Sequence, residues 1–314
     1  NMNLFQVDFA STRIVRLEQN YRSTETILKA ANSVIDHNRG RMGKKLWTDG
    51  QAGAPIRLYA AFNEIDEGRF VVDRLQQWVR DGQRRDSVAI LYRSNAQSRV
   101  FEELLLSAAV PYRVYGGLRF FERAEIKDAL AYLRLISNRD SDPAFERVVN
   151  VPTRGIGART ISTIRELSRE LDVSMWAAAV NLTGSGDLPS RTRSVVQRFI
   201  DLIDELDDST RHLELTEQTD VVVQRSGLLE HYRKQQGEKA QTRIENLEEL
   251  VSAARNFNFD PADEEHPDPL SDFLSHAALE AGEGQAEEWE DCVQLMSLHS
   301  AKGLEFPLVF LCRS

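Results

Sequence analysis

Apolar positions change period twice along this chain, and the two changes divide it. Ile14-Val15-Arg16-Leu17 is a short β-type run. Ile27, Ala30, Ala31, Val34 and Ile35 then recur at helical spacing, behind Ser23 and Thr24 as natural N-caps. A basic, loop-like stretch around His37 and Lys44-Lys45-Leu46-Trp47 leads to a second strand-like run, Ile56-Arg57-Leu58-Tyr59. Phe70, Val71, Leu75 and Val79 share one face of a predicted helix over 67–79. Val88-Ala89-Ile90-Leu91-Tyr92 reads as a buried strand, followed by a helix through Phe101, Leu104 and Leu105. Tyr112-Arg113-Val114-Tyr115 is the next strand, ended by Gly116-Gly117. Strand–helix alternation at these spacings predicts a parallel α/β sheet.

From Ala124 to about Ala281 nearly every apolar cluster is helical, as in Ile126, Leu130, Leu133 and Ile136, or Val195, Phe199, Ile203 and Leu206. Breakers such as Thr183-Gly184-Ser185-Gly186 separate the helices, and 259–269 reads as a solvated acidic, Pro-rich loop. The runs 293–298 and 308–311 are β-type again, and the only sheet they can join lies before Gly117. The expected organisation is therefore an α/β domain (1–117 and 284–314) interrupted by an all-α insertion (118–283). Gly116-Gly117 and Gly282-Glu283-Gly284 mark the crossings, and such glycines suit either a swivel or ordinary loops.

Composition narrows the picture. With 314 residues, 41% hydrophobic and 28% charged, this is an ordinary globular sequence long enough for two domains. No apolar run approaches the roughly 20 residues of a membrane helix. No signal peptide is evident, and Cys292 and Cys312 fit a reducing cytoplasm better than a disulfide framework or a zinc site. A net charge of −10 excludes a protein that coats nucleic acid through bulk charge, so any such contact must be focal.

Candidate chemistry concentrates in a few stretches. Leu17-Glu18-Gln19-Asn20-Tyr21-Arg22-Ser23-Thr24 puts a ring and a guanidinium where a strand turns into a helix, the edge at which open α/β sheets bind ligands. The others are 89–99 (with Arg93 and Asn95), 115–123 (with Arg119), Thr153-Arg154-Gly155-Ile156-Gly157, and 293–306 (with Ser297, His299 and Glu305). Together these stretches closely resemble, in order, motifs of the UvrD/PcrA/Rep superfamily-one DNA helicases, nearest the bacterial UvrD branch. The resemblance covers essentially the whole chain.

The resemblance implies that the α/β part is a RecA-like motor domain and the helical part its accessory subdomain. Tyr21 would stack on the adenine of ATP and Arg22 would reach the γ-phosphate as an arginine finger, the catalytic role. Glu305 would hold a ribose hydroxyl. Arg93, Asn95, Arg119, Ser297 and His299 would line the single-strand track. The Thr153–Gly157 turn, opening a helix at Ala158, would grip duplex DNA through backbone N–H groups. Plainer readings stand beside these: Tyr21 in the core with Arg22 on a carboxylate, Asn95 as a cap, Arg93 in a salt bridge, Glu305 and His299 as surface or structural groups. At least one of Phe120 and Phe121 belongs to the core. Asp263-Glu264-Glu265-His266 spells a helicase acidic box but lies in the acidic loop and reads as surface.

No G-x-x-x-x-G-K-[ST] loop is present; the 40–45 segment lacks its spacing and hydroxyl. The resemblance therefore implies an excerpt of an ATP-dependent 3′→5′ DNA helicase, inactive alone. Mg²⁺ would be held mainly by the missing first RecA-like domain, and the family's last arginine motif would also lie outside. Implied partners are single-stranded and junction DNA, that first domain, and DNA-repair proteins; the implied location is the cytoplasm, on the nucleoid, with no membrane. The alternatives are a helicase–nuclease subunit of RecB/AddA type and a non-catalytic DNA-binding module.

Overall fold

The computed structural model describes residues 15–38, 44–115, 117–259, 268–282 and 290–312. Ile14, Gly116, the Glu283-Gly284 pair, residues 40–43 and the Asp263–His266 box lie outside the described residues. The chain falls into two units, residues 1–62 and 63–314.

In the first unit, helix α1 (Glu25–Asp36) follows an extended segment joined by a single parallel bridge, Gln19 to Trp47. Asn32, buried on α1, clamps the returning chain: its side chain donates to Leu46 O at 2.8 Å and accepts from Leu46 N at 3.1 Å. The helical period expected here is present, but the buried stripe runs through Leu28 and Asn32, while Ile27, Val34 and Ile35 are exposed. Thr24 occupies the N-cap in an extended conformation without making a side-chain cap bond. Neither expected strand forms. Residues 15–17 and 56–59 carry no ladder, and Leu17 and Leu58 point into solvent, because an apolar run becomes a strand only where a partner edge exists.

The second unit holds a four-stranded sheet in the order β2-β3-β1-β4, every pairing parallel. The strands are β1 (Val88–Tyr92), β2 (Tyr112–Val114), β3 (Val293–Ser297) and β4 (Leu308–Leu311). β1 is buried along its whole length, as its continuous apolar run requires. Helix α2 (Glu64–Arg80) is capped by Asn63, whose Oδ1 accepts from Asp66 N at 2.8 Å. It packs on α3 (Ser98–Ser107) so closely that a Cβ on Gly68 would lie 2.4 Å from Leu104 Cδ1.

Between β2 and β3 the described residues are mainly helical: α4 (Ala124–Ser137), α5 (Asp142–Val148), α6 (Ala158–Leu171), α7 (Met175–Ser185), α8 (Ser190–Thr210), α9 (Leu215–Arg225), α10 (Leu228–Arg233), α11 (Glu238–Asn256) and α12 (Pro269–Gly282). They share one apolar core, in which Phe145, Trp176 and Phe199 meet edge to face. Phe120 and Phe121 are both buried in it. β3, which follows all these helices, inserts between β1 and β2, with Ile90 opposite Leu295 and Tyr112 opposite Val293. The strands on either side of the helical stretch thus build one sheet. Cys292 and Cys312 are buried free thiols. No described helix is long and apolar enough to cross a membrane.

Candidate nucleotide and nucleic-acid sites

In the first unit the residues around Tyr21 are held by the backbone on both sides. Asn20 N donates to Trp47 O at 2.7 Å and Trp47 N to Glu18 O at 3.0 Å. Asn20 Oδ1 then accepts from Arg22 N at 2.9 Å and Ser23 N at 2.8 Å, an Asx turn that throws the next two side chains outward. Tyr21 is 86% exposed, and its hydroxyl donates to Gln19 Oε1 at 2.8 Å. Gln19 Nε2 in turn donates to Asp49 Oδ2 at 2.8 Å. The ring is fixed at its polar tip and open at its faces, the condition for stacking a base. Arg22 is exposed beside it. Tyr21 is therefore not a core residue.

In the second unit the carboxyl ends of parallel strands converge on one edge. Tyr92 ends β1 opposite Ser297, which ends β3, and Leu298 N donates to Tyr92 O at 2.9 Å. Arg93 and Asn95 therefore emerge beside Ser297 and His299, although some 200 positions separate them in sequence. Gln97 Oε1 accepts from Arg93 N at 2.9 Å and Ser94 N at 3.0 Å, and Ser94 with Gln97 forms the capping box. Ser94, not Asn95, is the cap. The side chains of Arg93 and Asn95 are exposed, and among the described residues they have no hydrogen-bond or ion-pair partner. Ser297 Oγ and Ser300 Oγ are 3.0 Å apart, and Ala301 N donates to Ser297 O at 3.1 Å, folding the chain into a turn that exposes His299. The turn closes through Gly303 at φ +96, and Glu305 follows, exposed. Ala301, Leu304 and Phe306 seat it against Ala89, Leu91 and Met296. Beside Arg93 opens a cleft of about 300 Å³, walled by Glu245, Glu248 and Glu249 of α11.

Arg119 does not join this edge, which corrects the expectation that it lines the track. It is 4% exposed, and Nη2 donates to the carbonyl of Glu280 on α12. Its guanidinium offsets buried carboxylates. The Glu280 carboxyl is pushed up to about 8 by burial first, then by Glu103 and Glu102, with Arg119 and Arg99 opposing. Burial likewise raises Glu102, opposed first by Arg123. Arg123 extends this buried chain, donating to Ser98 Oγ at 2.7 Å and Asn246 Oδ1 at 2.9 Å.

The Thr153–Gly157 turn has the expected backbone and a corrected side chain. Gly155 sits at φ +87 with open space where a Cβ would be, and Gly157 is the N-cap of α6 without a side-chain cap. The first N–H groups of α6 therefore lack intrahelical acceptors and face outward beside exposed Thr153 and Arg159. Ile156 is fully buried and anchors the turn. Arg154, expected to add charge toward a phosphate, turns inward. It donates to Val148 O and Pro152 O, both at 3.1 Å, to Ser226 O at 2.9 Å, and to the Tyr132 hydroxyl. Burial pushes that hydroxyl up to about 12, opposed first by Arg154. The residue that shapes the turn, Asn150, was not singled out in the sequence; its Oδ1 accepts from Arg154 N at 2.8 Å and Ile156 N at 3.2 Å. Asn20, by contrast, carried a readable signal, since an Asn just before a strand-to-helix turn is a natural Asx residue.

A family model described as the UvrD-like helicase C-terminal domain matches residues 15–314. The chain is 59% identical over 311 residues to DNA helicase II of Escherichia coli (strain K12), a match covering 99% of this chain and 43% of that protein. DNA helicase II of Haemophilus influenzae is 53% identical, again over 99% of this chain and 42% of that protein. ATP-dependent DNA helicase PcrA of Bacillus subtilis (strain 168) is 40% identical over 318 residues, covering 99% and 42%. The chain spans less than half the length of these relatives.

Proposed function

The chain belongs to the UvrD-like helicase C-terminal domain family, and from that premise we propose that it is the C-terminal part of an ATP-dependent DNA helicase that moves 3′→5′ on single strands. The observation that carries this reading is the shared edge of β1 and β3, where the exposed side chains of Arg93, Asn95 and His299 stand beside the half-buried Ser297. Such a row of charge, amide and hydroxyl groups grips successive phosphates without reading bases. Tyr21 and Arg22 supply this chain's half of a nucleotide site. The fixed, open ring of Tyr21 fits an adenine, and the guanidinium of Arg22 fits a γ-phosphate whose charge spreads during transfer. ATP supplies the phosphoryl group; this chain positions the base and stabilises developing charge. Glu305 accepts from a ribose hydroxyl. Mg²⁺ is assigned to a partner RecA-like domain, because this sequence has no G-x-x-x-x-G-K-[ST] loop. The outward N–H groups after Gly157 hold duplex phosphates at the junction.

The test is a hybrid in which this chain replaces the matched region of the E. coli relative. The hybrid is expected to hydrolyse ATP in a DNA-stimulated manner and to unwind a duplex with a 3′ tail, and Arg22→Ala should abolish both. A folded hybrid that binds neither ATP nor single strands, or whose Arg22→Ala variant unwinds normally, would overturn the reading.

A further inference from the structure

Away from the β1–β3 edge, three metal-competent side chains meet where α3 packs near α12. His276 and Glu280 lie one turn apart on the same face of α12, and His276 Nε2 is 3.2 Å from Glu280 Oε1. Glu103 projects from α3, and one ligand atom from each of the three lies within 4.8 Å of the others. Donors around an ion at about 2.0–2.2 Å stand roughly 3–4.4 Å apart, so small rotamer changes close the set.

The surroundings have the features of a supported site. The imidazole is held between Phe121 at 6.3 Å and Phe257 at 5.5 Å, centroid to centroid. Glu103 is fixed at 2.5 Å by Arg99 Nη1, a buried guanidinium that also binds Glu249. Ligating carboxylates are typically held by just such an outer hydrogen bond. Charge points the same way. Arg99 is matched by Glu103 and Glu249, Arg119 by Glu122 and Arg123 by Glu102. Glu280 has no guanidinium within ion-pair distance among the described residues, only His276. A carboxyl that no guanidinium occupies is open to a metal ion. The side chains of Glu103 and His276 are 30% and 35% exposed, leaving a hydrated ion a way in.

We propose that Glu103, His276 and Glu280 form a binding site for a first-row divalent transition-metal ion, Zn²⁺ or Mn²⁺ in class. One imidazole nitrogen and two carboxylates, with water completing the shell, suit these ions; Mg²⁺ and Ca²⁺ favour oxygen throughout. The ion would tie α3, which flanks the sheet, to α12, the last helix before the chain returns to it. The site is separate from the nucleotide reading above and does not depend on it.

The test uses this chain after chelator treatment, titrated with ZnCl₂, MnCl₂ or MgCl₂ by calorimetry and thermal unfolding, and with CoCl₂ by visible absorption. Expected are saturable binding of one Zn²⁺ per chain, a rise in Tm of about 5 °C at saturation, and no shift with Mg²⁺ at the same concentration. His276→Asn and Glu280→Gln should each weaken Zn²⁺ binding at least tenfold and remove the Co²⁺ ligand-field band. Glu280→Gln keeps the shape of the buried carboxyl and should fold as the parent does, so it stands if His276→Asn misfolds. No Zn²⁺ binding, equal response to Mg²⁺, or unchanged affinity in Glu280→Gln, meaning adventitious binding at other histidines, would each overturn the proposal.

Discussion

The guanidinium of Arg154 lies over the ring of Tyr132, 5.7 Å from its centroid, and donates to the hydroxyl of the same residue. Three backbone carbonyls take three more of its donors, so the side chain ties the turn before α6 to α4 and to the end of α9. Arg154→Ala should therefore act on the fold, costing about 2–4 kcal/mol through carbonyls left without donors. Lysine should recover little, since one ammonium cannot reach partners arranged for a planar fork. Urea unfolding checks this. An unchanged midpoint together with lost junction binding would return Arg154 to the phosphate role.

Tyr21 and Arg22 should separate kinetically in the hybrid enzyme. Arg22→Ala is expected to lower kcat by on the order of 10³ with nucleotide binding largely kept. Tyr21→Ala should chiefly raise KM, because a stacked base is held alike in ground and transition states. Asn20→Ala, which removes the two N–H contacts at 2.9 and 2.8 Å, should impair both parameters at once. Normal kinetics in Asn20→Ala would show that the Asx turn does not position the pair.

Arg93 offers a charge-counting measurement. If its open guanidinium neutralises one phosphate, Arg93→Ala lowers the salt-dependence slope of single-strand binding by about 0.7, equally for all sequences. Binding that keeps its slope but loses base preference would contradict a backbone contact.

Cys312 should govern part of the alkaline limb of stability. Burial, with Glu67 adding, pushes its thiol up from 9.0 to about 12. The unfolded thiol ionises first, so its contribution is complete below about pH 9 and is lost as pH rises toward 12, at about 1.4 kcal/mol per pH unit in that window. Cys312→Ala should flatten that part of the denaturation profile. In the native chain, alkylation of Cys312 at pH 8 should require unfolding; fast labelling of the folded protein would show the burial to be wrong.

The parallel sheet and the helical stretch were legible because each rests on a period repeated over many residues. The two failed strands, 15–17 and 56–59, had the right side chains and no partner edge, which a run of four residues cannot reveal. The arginines failed for a different reason. Arg119 and Arg154 sit inside motifs that surround exposed contacts, but their acceptors lie 161 and up to 72 positions away. A motif identifies a backbone turn and leaves open which way a long side chain swings. Arg93 could be placed by its position alone, since the residue after a buried strand leaves the sheet at the carboxyl edge.

Strand order also sets a timetable for synthesis. β1 and β2 are made before the other two strands but do not touch; the gap between them is filled by β3, roughly 180 residues later. At ordinary elongation rates that gap stays open for about 10–40 s, while the helices emerge and can pack on their own core. The nascent chain thus carries unpaired β1 and β2 edges past the ribosome exit until β3 and β4 arrive. A chain released before β3 would keep the helical core and lose the sheet, and its bare β1 and β2 edges would be free to pair with other chains.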